Sequence, residues 1–186
     1  LFIPLVHEAC YVMERQKIQQ MEIDSAVKFR LGFPMGIFEL ADFTGLDVIH
    51  KATVEMHMRD KKVILPHTSI EQLFNEKKLG QKSGEGFYKY SDDKYERIQL
   101  SEESAQKCDP TQIIANILNN AAWLVTNNAS DIDEIEKAAS LGLGLKKPLF
   151  DTAKEIGIKK IVEELKELSK KHGTFYEPDP LLLSMC

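Results

Sequence analysis

Residues 1–56, LFIPLVHEACYVMERQKIQQMEIDSAVKFRLGFPMGIFELADFTGLDVIHKATVEM, return without a gap at residues 113–168, an offset of 112. An internal repeat of this length organises a whole chain. The identities fall where structure punctuates: Ala9 with Ala121, Ile23 with Ile135, Ala26 with Ala138, Leu31-Gly32 with Leu143-Gly144, Phe38 with Phe150, Ala41 with Ala153, Gly45 with Gly157 and Ile49 with Ile161. Each copy reads as helices. Asp109-Pro110-Thr111-Gln112 supplies a cap and an early proline, and Ile113, Ile114, Ile117, Leu118, Ala121 and Val125 then share one broad face. A shorter helix is expected near 132–139 (near 22–29 in copy one). A glycine- and proline-bearing loop follows, LGFPMG or LGLGLKKP, where a helix cannot persist. A brief helix then ends at Gly45 or Gly157 and a longer one runs from Leu46 to Arg59 or from Ile158 to His172, with glycine at each break. The stripe on the opening helices is wider than one neighbour covers. The two are therefore expected to pack on each other and to favour self-association, with Trp123 in the second stripe and Asn116, Asn119 and Asn120 on its far side.

Between the copies, Ile70, Leu73 and Phe74 read as a short helix stopped at Leu79-Gly80, residues 81–86 as a loop, Phe87-Tyr88-Lys89-Tyr90 as strand-like and Ser91-Asp92-Asp93-Lys94 as a turn. SEESAQKC at 101–108 reads as a linker. The expected fold class is all-α, a tandem pair of related helical domains, residues 1–100 and 101–186, joined by a short segment with one strand-like stretch.

Composition narrows the classes. The 186 residues are 43% hydrophobic and 28% charged, which excludes disorder over most of the chain, and a net charge of −5 gives no basic surface for nucleic acid. No apolar run approaches the ~20 residues of a membrane helix. Three cysteines at unrelated spacings suggest neither a disulfide framework nor a metal centre, so a cytoplasmic protein is expected. The chain opens at Leu1 inside an apolar stretch with no capping residue ahead of it, and reads as a fragment.

One set of motifs carries more than fold. Glu8-Ala9 on the first helix, Asp24-Ser25-Ala26, the Gly-x-Pro-x-Gly turn from Gly32 to Gly36, Asp42 with Gly45-Leu46-Asp47, and the closing Gly-x-Lys-x-Gly-x-Gly-Phe-Tyr run from Gly80 to Tyr88 together resemble the C-terminal domain of the 3-hydroxyacyl-CoA dehydrogenase family. The second copy keeps Gly144, Phe150 and Gly157 but has Lys146 and Lys147 where Pro34 and Met35 stand. It resembles the degenerate second repeat of multifunctional fatty-acid β-oxidation proteins, as does the Pro178-Asp179-Pro180-Leu181-Leu182 tail. The resemblance implies a helical fold like the C-terminal domain of 6-phosphogluconate dehydrogenase. It also implies a parent enzyme that oxidises an (S)-3-hydroxyacyl-CoA with NAD, through a His oriented by a Glu in a preceding Rossmann domain. On that reading the fragment is catalytically silent, holds no NAD itself, and supplies one wall of the acyl-CoA cleft and a homodimer surface. A fused enoyl-CoA hydratase domain is a further implied partner. The rival reading is an autonomous helical interaction module without catalytic role.

Among candidate residues, the loop Phe33-Pro34-Met35-Gly36 is the expected substrate-binding element, since Pro and Gly fix its backbone while Phe and Met offer apolar surface. The rest read more plainly. Gly142-Leu143-Gly144 lacks a preceding strand and a third glycine, and Gly80-Gln81-Lys82-Ser83-Gly84 has phosphate-loop residues in the wrong order. His7, Cys10 and Glu14 share a helix face, but Cys10 belongs to the apolar stripe. His50 and His57 are two potential ligands without a third, and His67 reads as a loop residue. His172 suits a helix C-terminus, and the lysines between Lys159 and Lys171 interleave with glutamates as a solvated face.

Overall fold

A computed structural model describes residues 1–60, 63, 66–90 and 99–186. Copy one contributes α1 (Phe2–Gln16), α2 (Gln20–Arg30), α3 (Ile37–Thr44) and α4 (Leu46–Arg59), followed by α5 (Thr68–Asn75); the short α6 (Glu102–Ala105) comes next, ahead of the second set of helices. Copy two contributes α7 (Thr111–Thr126), α8 (Ile132–Leu143), α9 (Leu149–Ile156) and α10 (Ile158–His172), and α11 (Pro180–Ser184) closes the chain. The fold is all-α. No helix among the described residues is long and apolar enough to cross a membrane.

The two copies keep the same helix order. Shifted by 112 residues, α3 coincides with α9 at both ends, and Gly45 and Gly157 adopt the same left-handed backbone, φ 100° and 102°, between paired helices. Only glycine takes that conformation cheaply, so both helix breaks are written into the sequence. A second device recurs on a carboxylate of the preceding helix. Asp24 accepts the backbone amides of Phe38 and Glu39 at 2.8 and 3.1 Å, and Glu136 accepts those of Leu149 and Phe150 at 2.6 and 2.8 Å. Each satisfies first-turn donors that the helix itself cannot.

The opening helices form the centre of the molecule. Leu5, Val6, Ala9, Cys10 and Val12 of α1 and Ile113, Ile114, Ile117, Leu118 and Ala121 of α7 are fully buried or nearly so. α1 packs on α7, and α7 also carries α10, α11, α9 and α8 against its other faces. The expected inter-copy pairing is therefore present, and it uses up most of the apolar stripe of each helix. Trp123 departs from expectation, being half exposed near the end of α7.

Three further expectations are corrected. Residues 87–90 form no strand. Glu85 makes isolated bridges to Gly80 and Lys89, and the amides of Phe87 and Tyr88 go to a carboxylate instead of a neighbouring strand. The linker at 101–108 contains α6, which starts at a Ser101 side-chain cap and packs on α2 with Ala105 and Cys108 buried. Asn116 and Asn119 are buried, because each meets a polar group delivered by another part of the chain. The turn read at Ser91–Lys94 lies outside the described residues.

Candidate functional site

The closing glycine run is a clasp around α3. Asp42 accepts the amides of Phe87 and Tyr88, both at 2.9 Å, and the Tyr90 hydroxyl at 2.9 Å. The chain can come this close only without side chains. A β-carbon on Gly80 would lie 2.2 Å from the Asp42 carbonyl oxygen, and one on Gly86 would lie 2.1 Å from Asp42 Oδ1. Phe87 then packs on Phe38 at 4.4 Å, the Tyr88 hydroxyl donates to Asp24 at 2.9 Å, and the Lys82 ammonium pairs with Asp47. Burial raises the Asp42 carboxyl and pushes Asp24 up to about 7, against the hydrogen bonds that favour both carboxylates. The motif Gly80–Tyr88 is thus a packing device. The backbone amides of Gly80 and Gly84 are already bonded to Glu85 and Gln81 carbonyls, so no phosphate cradle is formed.

The Gly-x-Pro-x-Gly loop divides by burial. Phe33 is 4% exposed, and Gly36 is buried with no room for a side chain, since a β-carbon there would lie 2.2 Å from Asp24 Cγ. Pro34 is exposed and Met35 half-buried. Pro34 lies against Gly144 of copy two, whose β-carbon would come within 2.7 Å of its ring. Next to this junction a groove of about 260 Å³ runs between the copies, with Leu1, Phe2, Leu40 and Thr44 on one side and Gly142 and Leu143 on the other. No local motif in the sequence marks this groove. Its walls come from residues about a hundred positions apart, which the packing of one half on the other brings together.

A charged interlock ties the copies along α1, toward the end away from the groove. Arg15 Nη1 donates to Glu8 Oε1 at 2.6 Å and to Gln112 Oε1 at 3.0 Å, while Nη2 donates to the Tyr176 hydroxyl at 2.8 Å. Tyr176 in turn donates to Glu8 Oε2 at 2.7 Å, so its single hydroxyl accepts once and donates once. Glu8 is 1% exposed; burial raises its carboxyl, opposed by Arg15 and Tyr176. Gln16 and Asp109 exchange two hydrogen bonds at the end of α1. The C-terminal tail is held by Asp179, which caps α11, accepts the Thr126 hydroxyl and donates its amide to Asn119.

The remaining candidates resolve into structural roles. Cys10 is fully buried and its thiol is pushed far up by burial, which removes any nucleophile. His7 Nδ1 accepts the His67 amide at 3.2 Å, and its Nε2 donates to the Thr53 hydroxyl at 2.6 Å, which donates to the Ile49 carbonyl at 2.8 Å. Burial, with His67 and His50 nearby, lowers His7 to about 4, so it is neutral. His67 is not a plain loop residue: its Nδ1 caps α5 through the Ser69 amide and its Nε2 meets Glu14 at 3.3 Å. His50 reaches Glu71 and stacks on Phe74, while His57 bonds the Val63 carbonyl. No group of three metal-ligating side chains occurs among the described residues. Gly142-Leu143-Gly144 ends α8, with Gly144 as its left-handed cap against Pro34, so it does not fit a dinucleotide pyrophosphate at a helix start.

The comparisons agree with this architecture. The family model described as 3-hydroxyacyl-CoA dehydrogenase, C-terminal domain, matches residues 1–90 and 111–186. Over 92 residues, 48% of the chain, it is 41% identical to the mitochondrial hydroxyacyl-coenzyme A dehydrogenase of Rattus norvegicus, covering 29% of that protein. Over the same length it is 34% identical to a probable 3-hydroxybutyryl-CoA dehydrogenase of Deinococcus radiodurans, covering 33% of that protein. The chain thus spans about a third of the length of these curated relatives. The fold is that of the 3-hydroxybutyryl-CoA dehydrogenase structure from Escherichia coli, with a TM-score of 0.77 at 18% identity over 98% of this chain and 58% of that one. The dehydrogenase part of multifunctional enzyme 1 from C. elegans matches at TM-score 0.61 and 19% identity over 95% of this chain and 46% of that one. With the family model matching both halves, the chain belongs to the 3-hydroxyacyl-CoA dehydrogenase family, as its C-terminal domain.

Proposed function

We propose that the chain is the substrate-cleft and association part of an NAD-dependent (S)-3-hydroxyacyl-CoA dehydrogenase of fatty-acid β-oxidation, and that it is inactive alone. The observation that carries this reading is an apolar groove between two family-matched halves. The relatives are named for hydroxyacyl-CoA substrates, and such a substrate needs an apolar wall for its chain. Neither glycine motif of this chain fits NAD, so the cofactor belongs to another part of the parent enzyme, together with the catalytic base. The Phe33–Gly36 loop completes the proposed wall: Phe33 and Gly36 anchor it from below, and Pro34 and Met35 present its outer surface.

The same proposal divides the chain into copy one, residues 1–100, and copy two, residues 101–186, with α6 lying against copy one. It also includes a cytoplasmic homodimer and a fused enoyl-CoA hydratase-type domain, the latter supported by the likeness to a multifunctional enzyme. Since α1 and α7 cover each other, self-association would use the exposed Phe43, Val48 and Met58 of copy one. The inactivity is tested by incubating the purified chain with acetoacetyl-CoA and NADH. No turnover is expected. Turnover that survives repurification and is lost on replacing one of the chain's own histidines would overturn the proposal.

A further inference from the structure

We propose that His67 is an acid-sensitive latch: its neutral ring holds the start of α5 against α1, and on taking up a proton the ring gives up that hold and α5 loosens from α1 and α4. Helix α5 is capped by a histidine, where helices ordinarily carry Ser, Thr, Asp or Asn. His67 Nδ1 accepts the Ser69 amide at 3.2 Å and Nε2 meets Glu14 of α1 at 3.3 Å, so the neutral ring carries its proton on Nε2. The His67 amide in turn donates to His7 Nδ1 at 3.2 Å, while His7 Nε2 is engaged with Thr53 of α4. Two imidazole lone pairs take two backbone amides at one helix start.

An oxygen cap survives mild acid, and an imidazole cap does not. A protonated ring has a donor on each nitrogen and no acceptor, so no rotation of the His67 side chain restores its bond to the Ser69 amide. Its positive charge would also lie at the N-terminus of α5, where the helix dipole opposes it. The helix has little else to rely on. It is eight residues long, and Ile70 is its one fully buried side chain. Helices this short depend on their tertiary contacts and caps.

The groups around the ring set the direction. From α1, Glu14 favours the charged ring and Arg15 opposes it, and Tyr11 packs edge-on at 4.6 Å between ring centroids. The His67 side chain is 2% exposed whereas that of Glu14 is 56% exposed, so burial outweighs the solvent-screened carboxylate and holds the ring below the ordinary histidine value of 6.5. The latch is therefore complete above that value and weakens as pH falls below it. One tie between α4 and α5 is spared. His50 Nε2 donates to Glu71 of α5 at 2.6 Å, a bond that needs no lone pair from the imidazole. Glu71→Gln should therefore deepen the loosening.

The test is hydrogen exchange of the folded chain at pH 7.5 and pH 5.5, read as protection factors corrected for the intrinsic rate, for the wild type, His67→Asn and His67→Ser. Asn and Ser cap a helix without titrating in this range. Circular dichroism confirms that each variant folds. In the wild type, protection of the α5 amides should fall about fivefold at the lower pH. The amides of α7, at the centre of the molecule, should stay better protected than those of α5 at both pH values, since the opening is local. In either variant the fall in α5 should be less than twofold. An equal fall in a folded variant, or α5 and α7 protection that converge at pH 5.5, would overturn the inference. The wild type alone gives a second reading: ring nitrogen chemical shifts should place the His67 proton on Nε2 at pH 7.5, and a proton on Nδ1 would overturn the latch equally.

Discussion

Asp24 and Glu136, 112 residues apart, perform the same task in the two copies: each carboxylate accepts two backbone amides at the start of the helix that follows the loop. The likeness holds although one is Asp and the other Glu, and the longer side chain engages the first turn one residue earlier. The sites differ in burial. Asp24 is completely buried and also receives the Tyr88 hydroxyl, whereas Glu136 is half-buried.

That difference predicts unequal costs. Asp24→Ala leaves two buried amides and the half-buried Tyr88 hydroxyl without their acceptor and should destabilise by about 3 kcal/mol, whereas Glu136→Ala should cost about 1 kcal/mol as an ordinary cap loss. Urea unfolding of the two variants measures both. Equal costs would contradict the buried-cap account.

The helix pattern was legible in the sequence because its punctuation is local. Gly45 and Gly157 mark breaks that only glycine permits, and the apolar spacing of α1 and α7 announced their mutual packing. What was misread depended on distant partners. Phe87–Tyr90 reads like a strand, yet the amides of Phe87 and Tyr88 are taken by Asp42, about 45 residues earlier. Asn116 and Asn119, on the far side of the second stripe, are buried because Glu8 and Asp179 meet them in the folded chain. For α6 a local signal did exist, since Ser101 sits ahead of Glu102 and Glu103 as a helix cap. Of the candidate site, the Pro34-Met35 surface was legible, but the groove was not, because Leu40 and Gly142 meet only in the folded chain.

The interlock should be asymmetric to mutation. Arg15→Met strands the Glu8 carboxylate in the core and is expected to cost about 3 kcal/mol, whereas Glu8→Gln combined with Arg15→Met should cost less than Arg15→Met alone. A chemical-denaturation double-mutant cycle checks this. An additive result would contradict coupling between the two residues.

Glycines with different surroundings should respond oppositely to alanine. Gly86→Ala drives a β-carbon into the Asp42 carboxylate and should destabilise by about 2 kcal/mol or more. Gly142→Ala enters open space inside a helix and should stabilise by up to about 1 kcal/mol. Thermal melts of the two variants decide, and a destabilised Gly142→Ala would show a packing constraint that the geometry lacks.

His7 gives a pH dependence of definite sign. Its folded pKa of about 4 lies below the ordinary value of 6.5, so between these values the unfolded chain binds more protons and stability falls as pH falls. Asp24, raised to about 7 from 3.8, works in the opposite direction across much of the same window. The contribution of His7 is therefore isolated by comparison with His7→Gln. The stability of the wild type relative to that variant should drop by about 3 kcal/mol from pH 7 to pH 4, and a difference that does not change with pH would contradict a buried neutral His7.

The central claim is that this chain serves a 3-hydroxyacyl-CoA dehydrogenase, and the most direct measurement is NADH formation by the product of the whole reading frame. With NAD and (S)-3-hydroxybutyryl-CoA, absorbance at about 340 nm should rise, and the (R) isomer should give little or no signal. A correctly folded whole protein that oxidises neither isomer, nor longer (S)-3-hydroxyacyl thioesters, would contradict the account.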